Sequence, residues 1–535
     1  MEELSEHLLN SATGHCWEKI GVFPHHGIAL PLFSLHSENS CGIGEFYDLC
    51  PLIDWCQKLK LDLIQLLPLN NSENDPSPYN ACSSLALNPL NLSLDKLPHV
   101  EEFSELKEQL KTYLSIPLPP RIDFSDVKTF KTTWLNAYFD AAGKKLIESK
   151  PLEQFISENP WVETYALYES LKSALGRTSW TTWPPKLKTP TEEEYAALIR
   201  EHWPMIAYHI TLQYLCYLQL KHVKTYAQER GVFLMGDIPI LLSKESADVW
   251  ENPELFDINW EAGAPPDMYN TEGQCWGFPL YRWDVMRKTQ YAWWKQRLEY
   301  ASNFYDLYRL DHVIGFFRIW AVPPGLTGKE GCFFPKEESL WEPQGREILE
   351  ALTHATEMLP IAEDLGVVPT IVRPILQEMG ICGTKVMRWE RIWDEEGRFI
   401  PLQYYPPISL TCLSTHDSET LELWWTTYPE EAKAFTQYKH WKYIPTLTAA
   451  QRKEILWDSH HTSSLFHVNL LQEYLALFDE LIFANPEEER INTPGKLLAT
   501  NWTYRFCPTV EEITAHEELA KMIQKIVFSP DSLSL

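Results

Sequence analysis

Short apolar runs alternate along this chain with longer stretches whose apolar positions recur at helical spacing. Residues 61–69, 231–242, 359–364, 384–389, 409–417 and 465–471 are such runs, as is the first half of 304–323. Few polar residues interrupt them, so they predict strands buried on both faces, as in a parallel sheet covered by helices. Helices are predicted over 47–60, 203–229, 281–301, 345–357 and 369–379. Strands alternating with helices at this spacing argue for parallel βαβ units. Residues 1–20 read as a helical lead-in and 21–44 as loop. From about 96 to 200, charged helical segments alternate with proline-rich pieces (IPLPPRIDF, TTWPPKLKTPTEEE) and strand signals are few. The expected division is 1–95 for the lead-in and first strands, 96–200 for an inserted, mainly helical subdomain, and 201–535 for the remaining strands and helices. A loop insertion is expected at about 243–280.

A (β/α)8 TIM barrel needs about 250 residues, and inserted loops take it beyond 400. At 535 residues the chain has room for one such barrel with inserted subdomains on its C-terminal face. Hydrophobic residues make up 44% of the chain, which fits a packed core rather than disorder. A net charge of −28 opposes nucleic acid and anionic membrane surfaces and leaves neutral or cationic ligands. The 22 tryptophans and 24 tyrosines depart from ordinary composition. Most belong to a core, but several sit among Asp, Asn and Gln in loop-like contexts. Apolar ring faces bordered by hydrogen-bonding groups suit sugars, whose C–H faces stack while their hydroxyls bond. The 11 cysteines form no CxxC pair, so neither a disulfide framework nor a zinc site is indicated. The N-terminus MEELSEHLLN lacks an apolar signal-peptide segment, and no apolar run approaches the ~20 residues of a membrane span. The expected location is cytoplasmic.

Three of the apolar runs end in a carboxylate: Asp311 in RLDH, Glu363 in IAEDLG and Asp417 in STHD. In a barrel these ends point to one mouth, where active sites collect. Arg309 lies two residues before Asp311, so both project to the same side of a strand, and the cation keeps the carboxylate ionised. Any one of these acids reads equally as a helix N-cap or as part of a structural Arg–Asp pair. Three together suit a general acid and a nucleophile, as in glycoside cleavage. Asp, Glu and His could instead hold a hard metal ion, a reading that Arg309 disfavours because it sets a cation beside a cation. No metal and no cofactor are expected. The pairs His25–His26 and His460–His461 read as surface histidines on polar stretches. The Gly-x-Gly of CGIG, with no third glycine, makes a poor nucleotide loop.

The segments RLDHVIGFFRIWAVP, AEDLG and STHDSET resemble the signature segments of the 4-α-glucanotransferases (amylomaltases, or disproportionating enzymes), a branch of the α-amylase-like barrel enzymes. GIALPLFSL…GIGEF, LLPL…SPYNACSSLALNPL, GDIPI, SADVWENPELF, GAPPDMYNTEGQCWGFPLYRWD, EERINTPG and NWTYRF agree, in family order from about residue 27 to 506. GAPPDMYNTEGQCWGFPLY and DHVIGFFRIW look most like the plant cytosolic disproportionating type, whose N-terminal starch-binding modules have no room in this chain.

The resemblance implies that Asp311 is the nucleophile of a covalent β-glucosyl-enzyme, Glu363 the acid/base and Asp417 the transition-state stabiliser. It implies that Arg309 and His416 orient the nucleophile and bind the sugar at the cleavage point. Asp237 would be the carboxylate of the third-strand motif, and Tyr79 and Trp276 would line the donor and acceptor clefts. The implied reaction is retaining transfer of an α-1,4-glucan segment or glucosyl unit from maltodextrin or maltose to the 4-OH of a glucan or glucose. A hydrolase of the same clan and a non-catalytic glucan-binding protein are the alternatives. The implied partners are α-glucans (maltose, maltodextrins, glycogen-like glucans), with no nucleic acid and no membrane. Retention by this route sets the two carboxyl groups about 5–5.5 Å apart, the separation expected for Asp311 and Glu363. Residues 263–278 are the expected lid. Two departures from the family bear on chain-length preference. SPYNACSSLALNP lacks the Phe and Gly of the usual SPY-x-S-x-S-A-F-A-G-N, and Ser418 replaces the usual Asn after THD.

Overall fold

In the computed structural model, which describes residues 2–73, 75–266, 271–392 and 397–530, eight short strands close into a parallel barrel. They are β1 (His25–Leu30), β2 (Leu63–Leu66), β3 (Phe233–Ile238), β4 (Leu307–Leu310), β5 (Leu359–Ala362), β6 (Cys382–Val386), β7 (Ser409–Cys412) and β8 (Phe466–Leu470). Each pairs in parallel with its neighbour in sequence, and β1 closes the ring against β8 with His26 opposite His467. This is a (β/α)8 TIM barrel, with helices packed around it.

Side chains alternate along a strand, so every second residue faces the barrel axis. Leu63, Met235, Leu307, Leu359, Ile361, Leu410 and Phe466 form one buried apolar cluster. Leu8 and Trp17, from the helices Glu2–Leu9 and Gly14–Ile20, join it and cover the N-terminal end. The same alternation carries Met235 to Asp237, Leu307 to Arg309 and Asp311, and Ile361 to Glu363. A polar layer therefore rests directly on the apolar one. Gly236 belongs to this design, because a Cβ there would come within 2.4 Å of the Tyr305 ring.

Seven strands lie where the apolar runs predicted them. The eighth, β1, falls inside 21–44, which reads as loop because His25, His26 and Gly27 interrupt its apolar pattern. It forms because it is hydrogen-bonded on both sides, to β2 and to β8. The histidine pairs are corrected with it. His25, His460 and His467 are buried, and His26 is partly buried between them. His26 Nδ1 lies 2.9 Å from His460 Nδ1, and the rings of His26 and His467 stack at 4.9 Å. His461 stacks on Trp457 at 3.9 Å.

Between β2 and β3 the chain runs through helices that end in a single 38-residue helix, Glu192–Glu229. Thr191 and Glu194 start it with a capping box. The expected boundary at 200 falls inside this helix, so the inserted helices and the helix leading into β3 share one rod. The helix predicted over 281–301 is two, Trp283–Lys288 and Ala292–Ala301, parted at Gln290 and Tyr291, whose φ angles of 53° and 60° leave the helical region. The segments 261–264, 274–275, 319–322 and 332–334 pair as a small antiparallel sheet beside the barrel mouth. Among the described residues, no helix is long and apolar enough to cross a membrane.

Candidate active site

The C-terminal mouth opens into a cleft of about 1650 Å³. Sites for single small molecules run to ~300–1,000 Å³, so this one has room for more than one such unit. Backbone register decides which charges meet in it. Asp237 lies opposite Arg309, and Leu310 lies opposite Ala362. Asp311 and Glu363 therefore stand one residue beyond paired positions on adjacent strands.

Arg309 ties the layer together. Its Nη1 donates to both oxygens of Asp237 and to Asp311 Oδ1, each at 2.9 Å, and its Nη2 lies 3.8 Å from Glu363 Oε2. The Tyr79 hydroxyl donates to Asp237 Oδ2 at 2.6 Å. Burial pushes the Asp237 carboxyl up against the pull of Arg309. The backbone N–H of Ile240 donates to Asp311 Oδ2 at 3.3 Å.

Glu363 is held by backbone N–H groups, from His312 to Oε2 at 2.8 Å and from Leu365 to Oε1 at 3.1 Å. Those bonds and Arg309 favour its ionised form. Burial and the adjacent Asp311 outweigh them and push its carboxyl up to about 8. It is a protonated acid at neutral pH, beside Asp311. His312 aims its N–H from a left-handed backbone, φ 42°, which a non-glycine residue keeps only where the surroundings enforce it.

Asp417 stands across the cleft, half-exposed, with Oδ2 3.4 Å from His416 Nε2 and Oδ1 accepting from the Asn492 amide at 2.7 Å. Enclosure in the cleft raises its carboxyl, but His416 and Asn492 outweigh that and hold it near 2. The ring of His416 stacks on Tyr79 at 5.2 Å, and Trp502 closes the group, 5.6 Å from Tyr79. Trp502 also has a left-handed backbone, φ 63°. On the other side, Trp276 meets the His312 ring edge-on at 5.1 Å, and its indole N–H donates to Gln274 Oε1 at 3.0 Å.

All eight residues singled out from the sequence (Tyr79, Asp237, Trp276, Arg309, Asp311, Glu363, His416 and Asp417) meet at this mouth, with Asp237 just beneath the surface that the others line. Sequence reasoning missed the parts played by His312, Asn492 and Trp502. Asn492 and Trp502 sit in the segments EERINTPG and NWTYRF, the signal that could have found them. Of the expected lid, 263–264 and 274–275 are strand, and 267–270 lie outside the described residues. Neither departure from the family pattern lines the cleft. Among the described lining residues none comes from 81–88, and the Ser418 hydroxyl accepts the Thr415 N–H at 2.9 Å, which fixes a turn. The arrangement presents a protonated acid beside a second carboxyl group in an aromatic-walled cleft, the pairing that breaks a glycosidic bond by general acid and nucleophile.

A family model described as 4-alpha-glucanotransferase matches residues 30–510. The 4-alpha-glucanotransferase of Chlamydia pneumoniae is 44% identical over 520 residues, covering 97% of this chain and 98% of that protein. The rice (Oryza sativa subsp. japonica) 4-alpha-glucanotransferase DPE2 is 25% identical over 668 aligned residues, covering 94% of this chain and 69% of its own length. In fold, the chain is similar to the amylomaltase from Streptococcus agalactiae solved in complex with acarbose, with a TM-score of 0.79 at 24% identity over 94% of this chain and 99% of that one.

Proposed function

The chain belongs to the 4-alpha-glucanotransferase family, and from that premise we propose how its cleft performs the transfer. Asp311 attacks C1 of a glucosyl unit as the C1–O4 bond breaks, and Glu363 gives its proton to the departing oxygen. The leaving glucan carries away a free 4-OH, and the donor segment stays on Asp311 as a β-linked ester. An acceptor 4-OH then attacks C1, Glu363 takes its proton, and Asp311 departs as a carboxylate. Two inversions give net retention. Esterification removes the negative charge of Asp311, one of the causes that hold the proton on Glu363. Glu363 can therefore act as acid in the first step and base in the second. Asp417, ionised throughout, holds substrate hydroxyls and the positive charge that develops at C1. The observation that carries this reading is Arg309, which bonds Asp311 and Asp237 and stands 3.8 Å from Glu363. It sets a permanent cation against the nucleophile and ties the three acids into one layer.

The substrates in this reading are maltose, maltodextrins and glycogen-like glucans, and the net charge of −28 supports a neutral ligand over nucleic acid. Eleven free thiols support a cytoplasmic location. Incubation with maltotriose tests transfer directly. We expect a ladder of longer oligomers while total reducing ends stay constant; rising reducing ends would identify a hydrolase instead. The acid role also sets a pH limit. Glu363 must be protonated in the free enzyme, so kcat/KM should fall tenfold per unit as pH rises beyond about 8. A pH profile that stays flat to pH 10 would remove Glu363 from that role.

A further inference from the structure

One lip of the cleft is held from outside the barrel. Ser243, Lys244 and Glu245 line the cleft just after β3. The insertion grips this segment through the helix Trp161–Ala174 and the turn that follows. Lys172 Nζ, in a buried side chain, donates to Glu245 Oε2 at 3.0 Å, and the Ser179 hydroxyl donates to Oε1 at 2.5 Å. The Trp180 N–H adds a bond to Oε2 at 3.3 Å, and the Tyr168 hydroxyl donates to the Glu245 carbonyl at 2.6 Å. The same helix reaches the loop that carries Tyr79, where the Asn71 amide donates to the Tyr165 hydroxyl at 2.8 Å.

A buried lysine needs a counter-charge, and a buried carboxylate would serve that need equally well. Glu245 is different, because its side chain is 35% exposed and forms part of the cleft wall. Each carboxylate oxygen accepts two hydrogen bonds, so Oε1, with Ser179 as its single partner among the described residues, keeps an acceptor site. A carboxylate fixed by three donors has little orientational freedom left to lose. That suits it to receive hydroxyl donors from a ligand lying along the lip.

We propose that Glu245 is a specificity-determining residue that accepts hydrogen bonds from sugar hydroxyls of a glucan lying along this lip of the cleft. The insertion, through Lys172 and Ser179, acts as the frame that aims it. The inference rests on the glucanotransferase reading and extends it along the cleft. Glu245→Gln keeps the size and the Ser179 contact while removing the charge. For maltoheptaose its KM should rise about tenfold with kcat within about twofold, the effect of weakening one charge-assisted hydrogen bond. Maltotriose, which covers fewer positions along the cleft, should show a smaller rise. Lys172→Met should raise the same KM, and Lys172→Arg should restore it in part. Calorimetric titration of maltoheptaose into the Asp311→Asn protein, with and without Glu245→Gln, should give the same tenfold loss without turnover. Two results would each overturn the inference while leaving the transferase reading in place. One is an unchanged KM for every oligomer; the other is an even loss of kcat across all lengths. Absence of any ladder from the unaltered chain would remove the reading and the inference together.

Discussion

Asp311→Ala should lose on the order of 10^4-fold or more of transfer from maltotriose, and azide should then distinguish its role from that of Glu363. Truncation opens space on the face of C1 opposite the leaving group. Azide entering there forms the C1–N bond as the bond to an α-glucosyl fluoride donor breaks, and the product is the β-glucosyl azide. Glu363→Ala should lose about 10^2–10^4-fold with maltotriose, whose leaving oxygen needs a proton. Fluoride departs with much less need of one, so Asp311 still forms its ester with glucosyl fluoride. Azide then attacks that ester from the other face and gives the α-glucosyl azide. Proton NMR of the two products reads the anomers directly. The reverse pattern would exchange the two assignments, and β-azide from both variants would end the double-displacement reading. Folding should survive both changes, because Arg309 keeps its two bonds to Asp237 in either variant.

The same geometry explains what the sequence made legible. Asp311, Glu363 and Asp417 stand out because each interrupts an apolar run at its C-terminal end, and the barrel turns that linear signal into a shared mouth. Arg309 is legible for a similar reason, since two residues along a strand is one full period. Asn492 gives no such signal. It bonds Asp417 across 75 residues of chain, and only the C-terminal strap that folds back over the mouth brings the two together. Trp502 and His312 depend on left-handed backbone at non-glycine positions, which residue type does not announce. The expected boundary at 200 lies inside a helix for a different reason. The change in composition there marks solvent exposure of one end of Glu192–Glu229, while the helix itself continues into the body.

The histidines at the opposite end of the barrel illustrate the same limit, and they carry the second large effect. His26 on β1 stacks on His467 of β8 and shares a ring-nitrogen contact of 2.9 Å with His460. One of those two rings must accept and the other donate, so both cannot be protonated in place. His460 Nε2 is already engaged by the Tyr474 hydroxyl at 2.6 Å, and His467 Nδ1 lies 3.0 Å from the Ser459 carbonyl. Among the described residues the remaining charged or titratable neighbours are Asp62, which accepts from the His26 N–H at 3.0 Å, His25, bound to Asp62 at 2.7 Å, and His461. Burial, reinforced by neighbouring histidines, holds His26 down to about 3; burial takes His467 to about 4 and His460 further below its usual value. An unfolded histidine titrates near 6.5. Between pH 6.5 and 4 the unfolded chain therefore takes up protons that the fold refuses. The stability present above pH 6.5 is lost as the pH falls. At pH 4, His26 and His467 together account for up to about 6 kcal/mol, on the scale of a whole domain's stability. Buried carboxylates such as Asp48, pushed up to about 7, act in the opposite sense, so the difference between variant and parent isolates the histidines. His26→Phe keeps a flat ring against His467. Thermal midpoints from pH 7 to 4 should fall less steeply for this variant than for the parent, by the equivalent of about one proton fewer taken up on unfolding. Parallel curves would mean that the cluster already carries its protons in the folded barrel, and that the contact between His26 and His460 does not exclude charge.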